Sequence, residues 1–467
     1  MISKYLTFCM MSVAVLCSCT GGQKKAEQVH SKKFTGAKGE VKLITVDPGH
    51  FHAQLVQKKM YEQIDPKTYV YAPEGSDVND FMIQINGFNT RAEDPTTWSP
   101  QLYTGVDFLS KMLAEKPGNV VVLSGNNAKK IDYILESAKA GLNVYADKPM
   151  VINTEGFVKL EEAFKVAETN GTLLYDIMTE RFEITTIVQR ELSKITEVFG
   201  TLVDGTPENP AITKESVHHF YKNVAGNAVK RPDWFFDTKQ QGEGIVDVTT
   251  HLVDLIQWEA FPEVILQKSD VGMLSAKRWP TVITKEQFTQ ATRLPEISEF
   301  LKKDMVNGKL EVYANGEMVY KLKGKHAKVS VIWNYEAPAG TGDTHYSIMR
   351  GSLCDVMIKQ GAEENYKPTV FVQANTKDAN FEALLKKAVE QDIAKEYPDM
   401  KVVKIKDQLW TIEIPDKYSV GHEAHFGQVT EKYMGYLIDG KLPEWEVPNM
   451  IVKYYTNTKA LELASAK

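Results

Sequence analysis

The chain has 467 residues, 43% of them hydrophobic and 25% charged. That balance excludes collagen-like, wholly disordered and multispanning membrane proteins, and at roughly 150 residues per domain it implies two or three domains. The formal charge of −6, with both signs interspersed, argues against a nucleic-acid partner, which needs a basic face. Three of the four cysteines (Cys9, Cys17 and Cys19) fall in the first twenty residues, so the chain is not a disulfide scaffold.

The N-terminus reads as a processing signal. Lys4 is a positive start, and Tyr5 to Leu16 is an apolar run too short to span a bilayer as a stable helix. Leu16-Cys17-Ser18-Cys19, followed by Thr20-Gly21-Gly22, resembles the lipobox of bacterial lipoproteins. The resemblance implies a signal peptide over 1–19, cleavage before Cys19 and acylation of that cysteine. The expected location is the periplasmic face of a bacterial membrane, with the lipid as the only membrane contact. Residues 20–39, rich in Lys, Gly, Gln and Ser, read as a flexible tether.

From Glu40 to Phe182 strands and helices alternate. Val41 to Val46 is an apolar run, and Asn119 to Ser124 is a continuous one, the mark of a strand covered on both faces. Ala128 to Ala140 has helical spacing and stops at Gly141, Leu142 to Ala146 is a strand, Glu155 to Thr169 a helix, and Thr172 to Ile177 another strand. The alternation predicts a parallel, doubly wound domain over 40–182. One helix over about 183–195 then leads into long alternating runs: Val264 to Leu274, Leu310 to Ala314, Met318 to Leu322, Ala327 to Tyr335, Tyr346 to Ile358, Thr369 to Gln373 and Leu409 to Ile414. Asn315-Gly316 reads as a hairpin turn between two of them. Residues 183–467 are thus expected to form an α+β domain on a large, mostly antiparallel open sheet. Helices over about 378–397, 419–438 and 447–465 are expected to pack around that sheet.

Two stretches carry chemistry. Asp147-Lys148-Pro149 lies at the carboxyl end of a predicted parallel strand, where doubly wound sheets place ligand-binding residues. Lys116-Pro117 has the same pair but precedes a strand. In Gly242-Glu243-Gly244-Ile245-Val246-Asp247-Val248-Thr249-Thr250-His251-Leu252-Val253-Asp254, helical spacing puts Asp247 and His251 on one face. A carboxylate beside an imidazole orients a general base.

Lysine at a strand end, with Asp-x-x-x-His about a hundred residues later, resembles the Gfo/Idh/MocA family of nicotinamide-dependent oxidoreductases. So do "VVVLSGNNAKKIDYILESAKAGLNVYADKP" and the strand ending in Glu180-Arg181-Phe182. The resemblance implies a Rossmann domain holding NAD, with NADP as the alternative, and a catalytic set of Lys148, Asp247 and His251. Cofactor contacts are expected from Gly49, His50, Phe51 and His52, from Glu74, from Ser124, Gly125, Asn126 and Asn127, and from Lys148 and Pro149. The phosphate-binding turn departs from the family: Val46-Asp47-Pro48-Gly49-His50-Phe51-His52 lacks two of the three glycines that let a pyrophosphate approach the backbone.

Arg181, Trp234, His345 and His425 are candidate substrate contacts. No metal site is expected, because His218 and His219 neighbour each other on a strand and point to opposite faces, and His422-Glu423-Ala424-His425 lacks helical ligand spacing. The resemblance implies a sugar or glycoside partner, oxidised at a hydroxyl, with C3 the candidate position, and an oligomer formed through the open sheet. Redox-assisted glycoside cleavage and a non-catalytic sugar-binding lipoprotein stay open as alternatives.

Overall fold

The computed structural model describes residues 33–224 and 227–466, so the signal segment, Cys19 and most of the expected tether lie outside the described residues. At the end of that stretch the tether expectation fails. Phe34 is buried in the core of the first domain, and Glu40 Oε2 accepts from the backbone N–H groups of Thr35, Gly36 and Ala37 at 2.7, 3.0 and 3.2 Å. One bulky apolar side chain with a surface to bury holds down a segment whose composition alone reads as linker.

The first domain follows the predicted alternation. It runs β1 (Leu43–Val46), β2 (Lys67–Ala72), α1 (Ser76–Thr90), β3 (Ser99–Thr104), α2 (Phe108–Glu115), β4 (Val120–Leu123), α3 (Asn127–Lys139), β5 (Asn143–Asp147), α4 (Thr154–Asn170) and β6 (Leu174–Ile177). The strands are parallel in the order β3-β2-β1-β4-β5-β6. This doubly wound order opens a ligand crevice at the carboxyl ends, where the strand order reverses between β1 and β4. β1 and β4 are buried along their whole length, as uninterrupted apolar runs require. The Asn126 side chain starts α3 by accepting from the Ala128 N–H, and the Asn153 side chain starts α4 by accepting from the Gly156 N–H.

Beyond a short turn of helix at Thr179–Phe182 come α5 (Ile184–Lys194), α6 (Thr196–Phe199) and β7 (Ile212–Tyr221). The pair β8 (Asn223–Val224) and β9 (Asn227–Ala228) stands apart, followed by α7 (Thr238–Gln241), α8 (Thr249–Ala260), β10 (Val271–Ile283) and α9 (Lys285–Thr292). Then follow β11 (Met305–Val306), β12 (Lys309–Leu322), β13 (Lys325–Glu336), β14 (Thr344–Arg350), β15 (Cys354–Lys359) and β16 (Thr369–Ala374). The chain ends with α10 (Phe381–Lys387), β17 (Lys401–Lys406), β18 (Leu409–Glu413), α11 (His422–Asp439) and α12 (Glu446–Ser465). The large sheet is ordered β10-β12-β13-β7-β14-β15-β16-β18-β17, with β11 pairing β12 as the tenth strand, and all pairs except β13 with β7 are antiparallel. Its inner face and one side of α5, α8 and α12 share one core, which includes Val188, Leu252, Ile256, Val356 and Val452. Cys354 is a buried free thiol in that core.

Four details differ from the expectation. Asn315-Gly316 is no hairpin: β12 passes straight through it. The Asn315 side chain donates to Trp279 O (3.0 Å) and Thr281 Oγ1 (2.8 Å) and accepts from the Trp333 N–H (2.8 Å). A Cβ on Gly316 would lie 2.6 Å from Ile245 Cβ, and one on Gly244 would overlap the Ala314 carbonyl. The glycines are there for close approach of two backbones, not for a turn. The strand expected from Val264 begins only at Val271, because the Leu266 N–H bonds the Asn449 side chain (2.9 Å) instead of a neighbouring strand. The helix expected over 378–397 is α-helical only to Lys387, then changes its winding. Finally, α11 packs on the first domain, not the second: Phe426, Val429, Tyr433 and Leu437 join its core, as do Met450 and Tyr454 of α12. Among the described residues no helix is long and apolar enough to cross a membrane.

Candidate active site

A cavity of about 1110 Å³ lies between the two sheets. The first domain supplies the loop after β1, the start of α1 and Lys148; the second supplies β7, β14, the segment leading into α8, and the start of α11. Seven of the ten histidines line it: His50, His52, His218, His251, His345, His422 and His425.

Lys148 directly follows β5, and its Nζ donates to Asp247 Oδ1 at 2.8 Å. Lys116, in the competing Lys-Pro pair, instead ends α2 and donates to Ala140 O. Asp247 lies in the turn ahead of α8, not on the helix, and its second oxygen accepts from Gln241 Nε2 (2.9 Å). The expected Asp247–His251 pair is therefore corrected: both Asp247 oxygens are taken up by other partners, and the buried His251 Nδ1 has no hydrogen-bond partner. Burial, and then the Lys148 ammonium, push the His251 imidazole down to about 3 against the pull of Glu180. It is neutral at physiological pH and free to accept a proton.

At the carboxyl edge of the first sheet, Asp147 Oδ2 accepts from Ser124 Oγ (2.9 Å), lies 3.0 Å from His52 Nδ1 and faces His50 Nδ1 at 3.6 Å. Phe51 and Gly49 line the cavity beside them. A Cβ on Gly49 would fall 2.8 Å from Asp77 Oδ2, so the turn packs closely on the start of α1. The other nominated cofactor residues are placed differently. Glu74 is exposed at the end of β2, while Asp77, three residues on, reaches the cavity. Ser124 turns to Asp147, the Asn126 side chain donates to Gln240 Oε1 (2.7 Å), and the Asn127 side chain donates to Gln241 O (2.7 Å). These asparagines join the domains, Gly125 packs against the Asp47 carbonyl, and Lys130 Nζ fixes the turn by donating to the Asp147 and Pro149 carbonyls at 2.9 and 3.1 Å.

On the opposite wall Asp343 gathers His218 Nδ1 (3.0 Å), His219 Nδ1 (3.2 Å) and Lys222 Nζ. The two histidines expected to point apart thus meet one carboxylate near the end of β7. Burial would raise the Asp343 carboxyl, but His218, His219 and Lys222 hold it far below the usual carboxylate range. His345 lines the cavity two residues on. His425 also lines it, with Nε2 3.9 Å from Glu183 Oε2; burial pushes the Glu183 carboxyl up to about 7.

Two nominated substrate contacts are corrected. Arg181 is buried in an ion network: Nε and Nη2 donate to Asp254 at 2.6 and 2.7 Å and Nη1 to Glu446 at 2.8 Å, while Lys453 joins Asp254 to Asp176. Trp234 is buried, with its indole N–H on Asp77 Oδ2 (2.8 Å). Sequence reasoning missed Asp77, Glu180, His218, Lys222, Arg231, Asp343 and His422, all on the cavity wall. The only signal for them was the density of histidine and acid at element ends, which becomes informative once the ends are known to converge.

Residues 188–465 match the family described as "Putative oxidoreductase C terminal domain". An oxidoreductase of the same designation from Parabacteroides merdae ATCC 43184 is 56% identical, and its crystal structure superposes with a TM-score of 0.91 over 93% of this chain and 100% of that one. A levoglucosan dehydrogenase in complex with NADH and levoglucosan shares the fold at 9% identity, TM-score 0.59, over 91% and 97% of the two chains. So does a 3-ketoreductase from Actinomadura kijaniata in complex with NADP and TDP-benzene, at 11% identity, TM-score 0.54, over 88% and 94%. No curated protein matches the sequence significantly. With a parallel dinucleotide-type sheet joined to this C-terminal domain, and Lys148, Asp247 and His251 meeting in the cavity between them, the chain belongs to the family described by that oxidoreductase C-terminal domain.

Proposed function

We propose that the protein oxidises a secondary hydroxyl of a sugar or glycoside, with C3 the candidate position, using a tightly held NAD. The observation that carries this reading is the meeting of Lys148, at the end of β5, and His251, on α8 of the other domain, in one cavity. The crevice supports the cofactor: it opens at the carboxyl ends of β1, β2 and β5, where doubly wound sheets bind their ligands. The turn at Gly49 to His52, Asp77 facing the ribose and Lys148 would hold a dinucleotide there. When bound, the nicotinamide supplies the hydride acceptor.

The chain's own groups handle the oxygen and the proton. Neutral His251, which lines the cavity, takes the hydroxyl proton on its imidazole. Lys148, kept in place by Asp247, steadies the oxygen as it gains negative charge, and this contact strengthens towards the transition state. Glu180, half-buried in the same cavity, compensates the imidazolium that forms. His218, Asp343 and His345 offer donors and acceptors to the hydroxyls of the sugar ring. Export and anchoring through Cys19 complete the proposal, and they suit a cofactor that stays bound, because free nicotinamide is scarce outside the cytoplasm.

The test is to denature the purified protein and identify any released dinucleotide, then to follow nicotinamide reduction with a series of glycosides. Bound or titratable NAD together with a keto-sugar product supports the reading. If protein stripped of endogenous ligand binds neither NAD nor NADP in calorimetry, the proposal fails.

A further inference from the structure

We propose that His50, His52 and Asp147 form a three-ligand site for a first-row divalent cation of the zinc class, its open position facing the cavity. Among the described residues this is the one group of three His, Cys, Asp or Glu side chains whose ligating atoms all lie within 4.8 Å of one another.

Tetrahedral coordination at about 2.0–2.2 Å sets donors about 3.3 Å apart. The structure holds Asp147 Oδ2 3.0 Å from His52 Nδ1 and 3.6 Å from His50 Nδ1, on either side of that spacing. Two imidazoles and one carboxylate are a donor set that suits zinc and its neighbours and leaves a position open. Asp147 is 2% exposed, yet its Oδ1 has no hydrogen-bond partner, so the carboxylate has capacity that the protein does not use. Ser124 Oγ orients Oδ2 as an outer-shell donor, and Lys130 clamps the main chain on both sides of Lys148. The nearby cations do not oppose the site strongly: Lys148 is engaged by Asp247, and Lys130 is directed to backbone carbonyls. A cation there would present positive charge to an oxygen ligand in the cavity, at the edge of the sheet where the glycine turn is incomplete.

The experiment uses the full chain, treated with chelator, dialysed and titrated with Co²⁺ and Zn²⁺, and needs no turnover. We expect one ion per chain by equilibrium dialysis and a visible cobalt band of four- or five-coordinate type, displaced by zinc. His52→Ala and Asp147→Ala should weaken binding at least about 100-fold, whereas His218→Ala in the other histidine cluster and His326→Ala, on β13 outside the cavity, should not. Should the buried variants fail to fold by circular dichroism, His50→Gln, at a partly exposed position, gives the same reading. Absence of stoichiometric cobalt binding, or binding that survives His50→Gln or moves with His218→Ala, overturns the proposal. Loss of the metal site would leave the dinucleotide reading standing, and failure of dinucleotide binding would leave this site untouched.

Discussion

Lys148 Nζ and Asp247 Oδ1 are 2.8 Å apart across the boundary between the two domains, with side chains only 10% and 5% exposed. The carboxylate ahead of α8 therefore serves the lysine of the first domain rather than the histidine one turn along its own chain. Lys148→Ala is expected to lower kcat more than it raises KM, by roughly 10²–10³. Asp247→Asn should give a smaller loss. In a double-mutant cycle the Asp247 and Lys148 effects should couple, while those of Asp247 and His251 should be closer to additive. Coupling of the opposite kind would restore the Asp–His pairing read from the sequence.

His251 governs the pH dependence. Its neutral form accepts the proton, and its value is lowered to about 3, so it stays neutral as pH falls until that region is reached. The kcat/KM profile should show no acidic limb from His251 in the neutral range. His251→Ala should cost about 10²–10⁴ in rate without removing any limb near neutrality. A limb near 7 would belong to Glu183, whose carboxyl burial raises to about 7, and should vanish in Glu183→Gln. Profiles of the three enzymes decide the matter.

The Arg181–Asp254–Lys453–Asp176 network is a stability element. Arg181→Met leaves Asp254 and Glu446 buried with fewer partners and should cost about 3–5 kcal/mol, read by chemical denaturation. Burial alone would raise the Asp254 carboxyl, but Arg181 and Lys453 hold it well below the usual range. A depressed carboxyl stabilises the fold above its unfolded value of about 3.9, and that contribution is lost as pH falls towards the folded value. Wild-type stability should therefore drop on acidification below about pH 4, and Asp254→Asn should flatten that drop.

Gly316→Ala tests the close approach beneath the catalytic segment. The new methyl would sit 2.6 Å from Ile245 Cβ, two residues from Asp247. An overpacking cost of about 1–3 kcal/mol is expected, together with a fall in kcat out of proportion to the stability lost. Unchanged kcat would mean that the segment can shift without moving Asp247.

Cys19→Ala should release the protein from the membrane fraction with its activity intact. Phe34→Ala should instead destabilise the fold by about 3–5 kcal/mol, because that side chain is buried in the core. If Cys19→Ala stays bound after a salt wash, the anchor lies elsewhere.

The sequence by itself determined what local pattern can express. The buried runs of β1 and β4, the helical spacing of α3 and α4 and the lysine at the end of β5 are all short-range signals, and each sits where the local pattern puts it. Tertiary structure decided the partners. Asn315-Gly316 reads as a turn because both residues favour one, but the approach of Gly244 makes it the middle of a strand. Asp247 is four residues from His251 yet is held by Lys148, ninety-nine residues away, because the strand end of one domain faces the helix start of the other. Arg181 was equally suited to a substrate or to Asp254, and only the return of α12, bringing Glu446 and Lys453, settled it. Charges are paired by distance in space, and spacing along a chain constrains that distance only within a single helix or strand.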